Sequence, residues 1–467
     1  MESLTAFALF FGAVVPLFFP AASTVLFPKD ALPTKSGYLP VNTTSDSAVF
    51  YTFYEAQNPS TSLSHTPLLI WLQGGPGCSS MLGNFYELGP WLVKPDPTHP
   101  NNLTLAPNPG SWNRLFGLIF IDNPIGAGFS VAASPEEIPR DQTSVARHLF
   151  IALRSFLTAN PTFGSRPLYL TGESYAGKYV PAFGYYLLEQ NSRLPSSLRI
   201  NLQGVAIGDG LTHPVTQVTT HAVNAYFCGL VNRKQQTQLE HLQNEAAKLT
   251  SEEKWQEARE ARNKVFDTLL NMTGLPTLYD FRRNKPYEME MVTEFLQIEE
   301  VKEVLGAKTN IVFEVCSDVV DDALSEDVMK SSKFMVEQLV KKSKVLLYQG
   351  QFDLQDGVVS TLAWIEQMEW EELEMFLEAE RKVWEVNGLL SGYVQRWGGL
   401  THAVVSGAGH LVPTDQSLSS QAMIEDWILD KDVFGNENIG DSILEQGAFG
   451  SENKGSIFRT LTNSFRD

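Results

Sequence analysis

The sequence predicts an α/β protein with a mainly parallel central sheet, and three observations carry that prediction. Short apolar runs alternate with longer amphipathic stretches, the pattern of strands joined by crossover helices. One run, Pro167-Leu168-Tyr169-Leu170, leads into Gly172-Glu173-Ser174-Tyr175-Ala176-Gly177, a tight turn with a serine at its apex. Two later strand-like runs end beside ionisable residues in glycine turns: Asp353 after Gly350-Gln351-Phe352, and His410 after Gly407-Ala408-Gly409.

Taken in order, strands are expected at 49–54, 68–72, 118–121, 168–170, 202–207, 345–348 and 401–405. A helix opens at the N-cap candidate Asp141, keeps Val145, Leu149, Leu153, Phe156 and Leu157 at helical spacing, and stops at Asn160-Pro161. The texture then changes. Residues 231–305 are rich in Glu, Lys, Arg, Gln and Leu with helical periodicity and almost no strand signal. Because this stretch separates two core strands, it reads as an insertion that caps a site. A second helical piece is expected at 362–386, and a last amphipathic helix after Asp415, through Ile424 and Trp427. The predicted organisation is a signal peptide at 1–22, the first part of the core at 23–212, a helical cap insertion at 213–344, the second part of the core at 345–429, and a polar tail at 430–467.

Composition narrows the partners. A 43% hydrophobic fraction over 467 residues suits a globular chain. A net charge of −19 argues against nucleic acid and anionic lipid. The apolar run at 6–19, followed by Ala21, Ala22 and Ser23, reads as a secretory signal, although Glu2 and the lack of Lys or Arg make its start atypical. No later stretch approaches the ~18 apolar residues a membrane span needs, so no membrane association is expected after signal removal. Sequons at Asn42, Asn102 and Asn271 support the secretory route. The three cysteines, Cys78, Cys228 and Cys316, allow three choices for a single pair and leave at least one thiol over.

The order serine, acid, histidine, each just past a strand, is that of an α/β-hydrolase. Ser174 is the candidate nucleophile, His410 its base and Asp353 the acid that orients the base. The generic turn carries glycine where Ala176 stands. The loop Gly74-Gly75-Pro76-Gly77-Cys78-Ser79-Ser80, just after the run at 68–72, lacks the Gly-Lys-Ser/Thr of a phosphate loop. Its better role is an oxyanion hole, with the N–H groups of Gly75 and Tyr175 aimed at a developing oxyanion. His65, His99, His148, His213, His221, His241 and His402 show no metal-ligand spacing and read as structural or surface residues. No cofactor or metal motif is present.

Three blocks together resemble the serine carboxypeptidase family, most closely its plant carboxypeptidase-like members. They are Trp71-Leu72-Gln73-Gly74-Gly75-Pro76-Gly77-Cys78-Ser79-Ser80, Gly172–Gly177 with Lys178-Tyr179-Val180-Pro181 behind it, and Gly407-Ala408-Gly409-His410-Leu411-Val412-Pro413-Thr414-Asp415-Gln416. Trp112-Asn113 and the run from Ile121 to Ser130 agree, and the resemblance extends over about 36–429. It implies an α/β-hydrolase core with a helical insertion, removal of single residues from peptide C-termini, and a vacuolar, lysosomal or secreted location. It further implies that Glu87, Glu173, the amide at position 73 and Gly74 bind the substrate carboxylate, and that Cys78 pairs with Cys316. Closing so long a loop stabilises by up to ~5 kcal/mol in the chain-entropy account. Cys228 is then an odd thiol, expected to be buried.

The chemistry of the glutamates fits that role. Two charged carboxylates would repel a substrate carboxylate, whereas protonated ones donate hydrogen bonds to it, so binding is expected to favour acid pH. Departures from the family bear on specificity more than on catalysis. Gln73 replaces asparagine, Gln351 replaces aspartate, and Leu411 replaces a methionine that often follows the histidine. The reading is a serine-type carboxypeptidase acting on peptide or protein C-termini through an acyl-enzyme. The rivals are an acyltransferase using sugar esters and a non-catalytic binding or protective protein. Glu173 argues against the first, because many such acyltransferases carry aspartate there, and a complete Ser174, Asp353 and His410 argues against the second. Dimerisation is left open.

Overall fold

A computed structural model describes residues 27–97 and 102–435. The expected signal peptide, His99 and residues 436–467 of the expected tail lie outside them.

The apolar runs form the centre of one sheet. Its strands are β1 (Lys35–Pro40), β2 (Ala48–Tyr54), β3 (Leu68–Leu72), β6 (Gly117–Ile121), β7 (Leu168–Glu173), β8 (Leu202–Gly208), β9 (Lys344–Gly350), β10 (Arg381–Val386), β11 (Leu389–Trp397) and β12 (Leu400–Val405). Their order is β1-β2-β6-β3-β7-β8-β9-β12-β11-β10. The stretch from β6 to β12 is parallel throughout, and antiparallel pairs close both sides. Two further strands, β4 (Trp91–Pro95) and β5 (Leu103–Pro107), make a separate ribbon. Parallel strands are covered on both faces, so their sequences are apolar at every position rather than at alternate ones. Alternate residues nonetheless serve different cores. Leu68, Ile70 and Leu72 enter one buried cluster with Ile119, Leu170, Val205 and Leu347. Leu69 and Trp71 enter another with Phe120, Tyr169, Leu346 and Tyr348.

Helices cover the two faces. The expected helix at Asp141 is α1 (Gln142–Ala159), capped by the Asp141 side chain accepting from the Ser144 N–H at 2.9 Å. The helix behind the serine turn is α2 (Ala176–Arg193). In the 213–344 stretch, α3 (His221–Phe227), α4 (Arg233–Ser251) and α5 (Trp255–Thr273) share a small core of Ala222, Ala225, Leu239, Val265, Leu269 and Leu278. Asn232 and Gln235 form a reciprocal capping box that starts α4. The later α6 (Lys333–Val340) instead packs against α2 and β9, so the main core resumes before residue 344. The last helix, α7 (Ser417–Leu429), covers the second face through Met423, Ile424 and Trp427.

Three expectations are corrected. The piece at 362–386 is helical only in part: two short helices, Val358–Ile365 and Leu373–Glu378, give way to the edge strand β10. The Glu- and Leu-rich run before it masked the period-2 pattern in which Trp384 and Val386 turn inward while Val383 and Glu385 face solvent. The tail does not begin at 430, because Phe434 is fully buried edge-on against Trp384. Cys228 is exposed, since it follows the last turn of α3, where Phe227 also faces solvent. Two of the histidines read as structural are held in the core: His402 Nε2 meets Gln349 Oε1 at 2.7 Å, and His221 Nδ1 meets the Leu354 carbonyl at 3.1 Å.

Candidate active site

Ser174 stands between β7 and α2 at the C-terminal end of the sheet, and it holds φ 60°. That left-handed conformation is rare for a residue with a side chain and marks a turn forced by its surroundings. The forcing contacts are visible. A Cβ at Gly172 would fall 2.4 Å from the Leu72 carbonyl oxygen and 2.7 Å from Ala176 Cβ. The bare Gly172 is therefore what lets Ala176 replace the usual glycine. A Cβ at Gly74 would fall 2.6 Å from Tyr175 N and 2.8 Å from Ser174 Cβ, so the loop after β3 lies directly against the serine turn.

That loop is fastened at several points. Ser79 Oγ donates to Asp122 Oδ1 at 2.6 Å, and the Phe129 N–H donates to Asp122 Oδ2 at 2.8 Å. Burial pushes the Asp122 carboxyl up to about 6. Ser80 Oγ donates to the Ile121 carbonyl at 2.6 Å. The disulfide Cys78–Cys316 ties the loop to the far end of the insertion across 238 residues of sequence, and Ser79 N–H to Val315 O at 2.7 Å runs beside it. The amides of Gly75 and Tyr175 have no backbone acceptor among the described residues, which leaves both free to serve an incoming oxygen.

Asp353 and His410 follow β9 and β12, one and two strands beyond β8. His410 Nδ1 and Asp353 Oδ2 lie 2.7 Å apart, both side chains buried. Asp353 Oδ1 accepts from the Gln355 N–H at 2.7 Å and Oδ2 from the Asp356 N–H at 3.2 Å. Burial pulls the imidazole down, but the charge and hydrogen bond of Asp353 outweigh it, and His410 ends above its ordinary value. His410 Nε2 is buried without a partner, and no hydrogen bond joins it to Ser174. Such bonds often tighten only when substrate arrives.

Beside the serine lies a pair of buried acids. Trp71 Nε1 donates to Gln73 Oε1 at 2.8 Å and so fixes the amide's orientation. Gln73 Nε2 then donates to Glu173 Oε1 at 2.8 Å and Glu87 Oε1 at 3.2 Å. Neither Oε2 finds a donor among the described residues. Burial pushes Glu87 up to about 7. Burial and the neighbouring Glu87 charge push Glu173 well above the usual carboxylate range. The arrangement can present neutral acids to an anion while a buried base waits nearby.

Residues that sequence reasoning did not single out complete the site. The segment 278–282 of the insertion holds both triad loops. Leu278 O accepts from the Leu354 N–H at 2.9 Å, and Phe281 N–H donates to Phe352 O at 3.2 Å. Tyr279 O accepts from the His410 N–H at 2.6 Å, and its ring stacks on the imidazole with centroids 4.3 Å apart and planes 11° apart. Arg262 of α5 reaches Asp356 at 3.5 Å. Asp209, at the end of β8, faces Asp353 and His410. Its position in Gly208-Asp209-Gly210, past an apolar run, is the same signal that marked Asp353.

The fold and this serine turn define an α/β-hydrolase. The family described as serine carboxypeptidase matches residues 27–430, and the chain belongs to that family. It is 56% identical over 415 residues to "Serine carboxypeptidase-like 50" of Arabidopsis thaliana, covering 89% of this chain and 91% of that protein. It is 32% identical over 417 residues to "Probable serine carboxypeptidase CPVL" of Homo sapiens, covering 87% and 85%. Among solved structures it is similar to a prohormone-processing carboxypeptidase of Saccharomyces cerevisiae, with TM-score 0.77, 26% identity and 88% and 95% of the two chains covered. The protein is thus a serine carboxypeptidase-type hydrolase.

Of the sequons, Asn271 is exposed near the end of α5, and Asn102 is half-buried beside β5. Asn42 is half-buried, and its amide donates to Ser45 Oγ at 2.9 Å.

Proposed function

We propose that the enzyme releases C-terminal residues from peptides in mildly acid conditions through an acyl-enzyme, with Ser174 as nucleophile. Ser174 Oγ attacks the carbonyl carbon of the last peptide bond while His410 Nε2 takes the hydroxyl proton. The oxyanion meets the N–H groups of Gly75 and Tyr175, each worth about 3 kcal/mol or more of transition-state stabilisation. The imidazolium, held by Asp353, returns the proton to the departing amine, and the C–N bond breaks. Water, deprotonated by His410, then attacks the ester and frees the serine.

One observation carries the exopeptidase reading: two buried glutamates, joined through one amide, stand directly beside the serine turn. Held neutral, Glu87 and Glu173 with Gln73 and the Gly74 backbone offer hydrogen bonds to a free carboxylate. The 213–344 helices act as a cap over this end of the sheet. We place the protein on the secretory or vacuolar route, as the disulfide and the exposed Asn271 favour, with glycans at Asn42, Asn102 and Asn271.

The test is incubation with N-blocked dipeptides and with glucose esters from pH 4 to 7, alongside Ser174→Ala. Residue release that falls at least ~1,000-fold in the variant is expected. Ester transfer without residue release would instead indicate an acyltransferase. Turnover of neither would indicate a binding protein.

A further inference from the structure

Asp209 has no part in the mechanism above, yet it occupies the centre of the site. It is fully buried and holds φ 42°, in the left-handed region. Its own N–H donates to the Tyr348 carbonyl at 2.9 Å, and its two carboxyl oxygens share the N–H of Gly350 at 3.0 and 3.3 Å. Gly350 ends β9 and opens the loop that carries Asp353. One carboxyl oxygen of Asp209, one of Asp353 and a ring nitrogen of His410 all lie within 4.8 Å of one another.

Two carboxylates at that range, buried together, do not both ionise. The question is which holds the proton, and the donors decide it. Asp353 receives three: the Gln355 and Asp356 amides and His410 Nδ1. Asp209 receives only the shared Gly350 amide. Donors stabilise the anion, so the charge settles on Asp353 and the proton on Asp209. We propose that Asp209 is a positioning residue: as a neutral acid it donates a hydrogen bond to Asp353 and fixes the carboxylate that orients His410.

The surrounding charges agree. Beyond Asp353, the groups facing Asp209 are Glu173 at the end of β7, Tyr348 on β9 and His410. Burial first, then the charges of Asp353 and Glu173, raise its carboxyl well above the usual range. The inference rests on the proposed roles of Ser174, Asp353 and His410, and the experiment separates its failure from theirs.

The full chain is compared with D209N, D209A and S174A on one N-blocked dipeptide, with kcat and KM followed against pH. Asp209→Ala is expected to lower kcat about 10- to 100-fold with KM changed less than about twofold. Asn keeps a donor and cannot ionise, so Asp209→Asn restores kcat to within about threefold of wild type and leaves the acid limb of kcat in place. Three results would overturn the inference. One is a D209A enzyme as active as wild type. Another is a D209N enzyme as impaired as D209A. The third is an acid limb that drops by about a unit or more in D209N, because removing a true charge lowers the His410 pKa. A wild type that turns over nothing sinks the catalytic reading, not this one. Infrared difference spectra then decide: a protonated-carboxyl stretch must be present in wild type at pH 6 and lost in D209N, and its absence overturns the assignment.

Discussion

Glu173 shares its backbone with the serine turn, so its protonation state acts directly on the reacting centre. On the proposed reading it holds a proton to meet a carboxylate, while His410 must lose one to act as a base. Glu87 rises to about 7, Glu173 is pushed well above its ordinary range, and His410 lies above its ordinary value. On the proposed reading the free enzyme binds best where Glu87 keeps its proton, below about pH 7, while its base gains as pH rises. Substituting amides for the acids separates the two effects. In the wild type, KM for an N-blocked dipeptide should climb as pH rises through 7. In the double variant Glu87→Gln with Glu173→Gln it should stay flat over that range, because an amide donates at every pH. Glu173→Ala should raise KM about 10- to 100-fold even at pH 5, by leaving Gln73 and the substrate carboxylate unpaired. A wild-type KM that is constant from pH 5 to 8 would contradict the neutral-acid reading. Ser174, Asp353 and His410 stand out as candidates in the sequence because each follows a strand-like run and a tight turn, whereas Glu87 and Glu173 are candidates through the family resemblance. Asp209 shows that same pattern, but what sets it apart is its facing of Asp353 across the strands, which no local window contains.

Among elements, the segment 278–282 is the one whose importance exceeds its size. It has neither helix nor strand, yet its backbone bonds to both triad loops and its tyrosine ring lies flat on the imidazole. The acid loop is gripped a second time by His221 of α3 and a third by Arg262 of α5. The insertion thereby sets the geometry of residues that belong to the core. Tyr279→Ala removes the stacked face and should lower kcat about tenfold while KM changes little and the thermal midpoint stays within a few degrees. Tyr279→Phe keeps the stacking and the backbone bonds, so it should recover most of that loss. A phenylalanine variant as slow as the alanine one would place the function in the hydroxyl and refute the stacking argument. The helices and the six parallel strands were legible because a fully apolar run, or a 3.6-residue period, leaves a strong mark. Edge elements leave a weaker one. β1 contains Gly37 and Pro40, and β10 carries Arg381, Lys382 and Glu385 on a strand that must not recruit a neighbour, so charge replaces the apolar run. The strap at 278–282 has no period at all, and only tertiary contacts define it.

At the scale of the whole molecule, the buried acids make folding stability depend on pH in a direction opposite to the usual one for carboxylates. Glu87 and Asp122 are pushed to about 7 and about 6, and Glu173 and Asp209 are pushed well above their ordinary range, in each case chiefly by burial. A carboxyl whose pKa is higher folded than unfolded stabilises the fold fully below its unfolded value, near 4, and loses that contribution as pH rises through the folded value. Two buried histidines oppose this. Burial depresses His221 to about 4 and His402 to about 3, so each stabilises the fold above about 6.5 and loses that contribution as pH falls. Between pH 4 and 6.5 the four raised acids outnumber the two histidines, so stability already falls with pH, by about two protons' worth of slope. Above 6.5 the histidines are neutral in both states, Asp122 and then Glu87 have released their protons, and Glu173 and Asp209 carry the remaining fall, about 1.4 kcal/mol per pH unit for each proton still held only in the folded state. Urea midpoints at pH 5, 6.5 and 8 test this, with a fall expected over both intervals and the segment from 6.5 to 8 resting chiefly on Glu173 and Asp209. Glu173→Gln removes one such proton and should flatten that segment by a proton's worth of slope. Midpoints that rise steadily from pH 5 to 8 would mean that these acids are charged in the folded protein. The same result would remove the neutral carboxyls on which recognition of a peptide C-terminus depends.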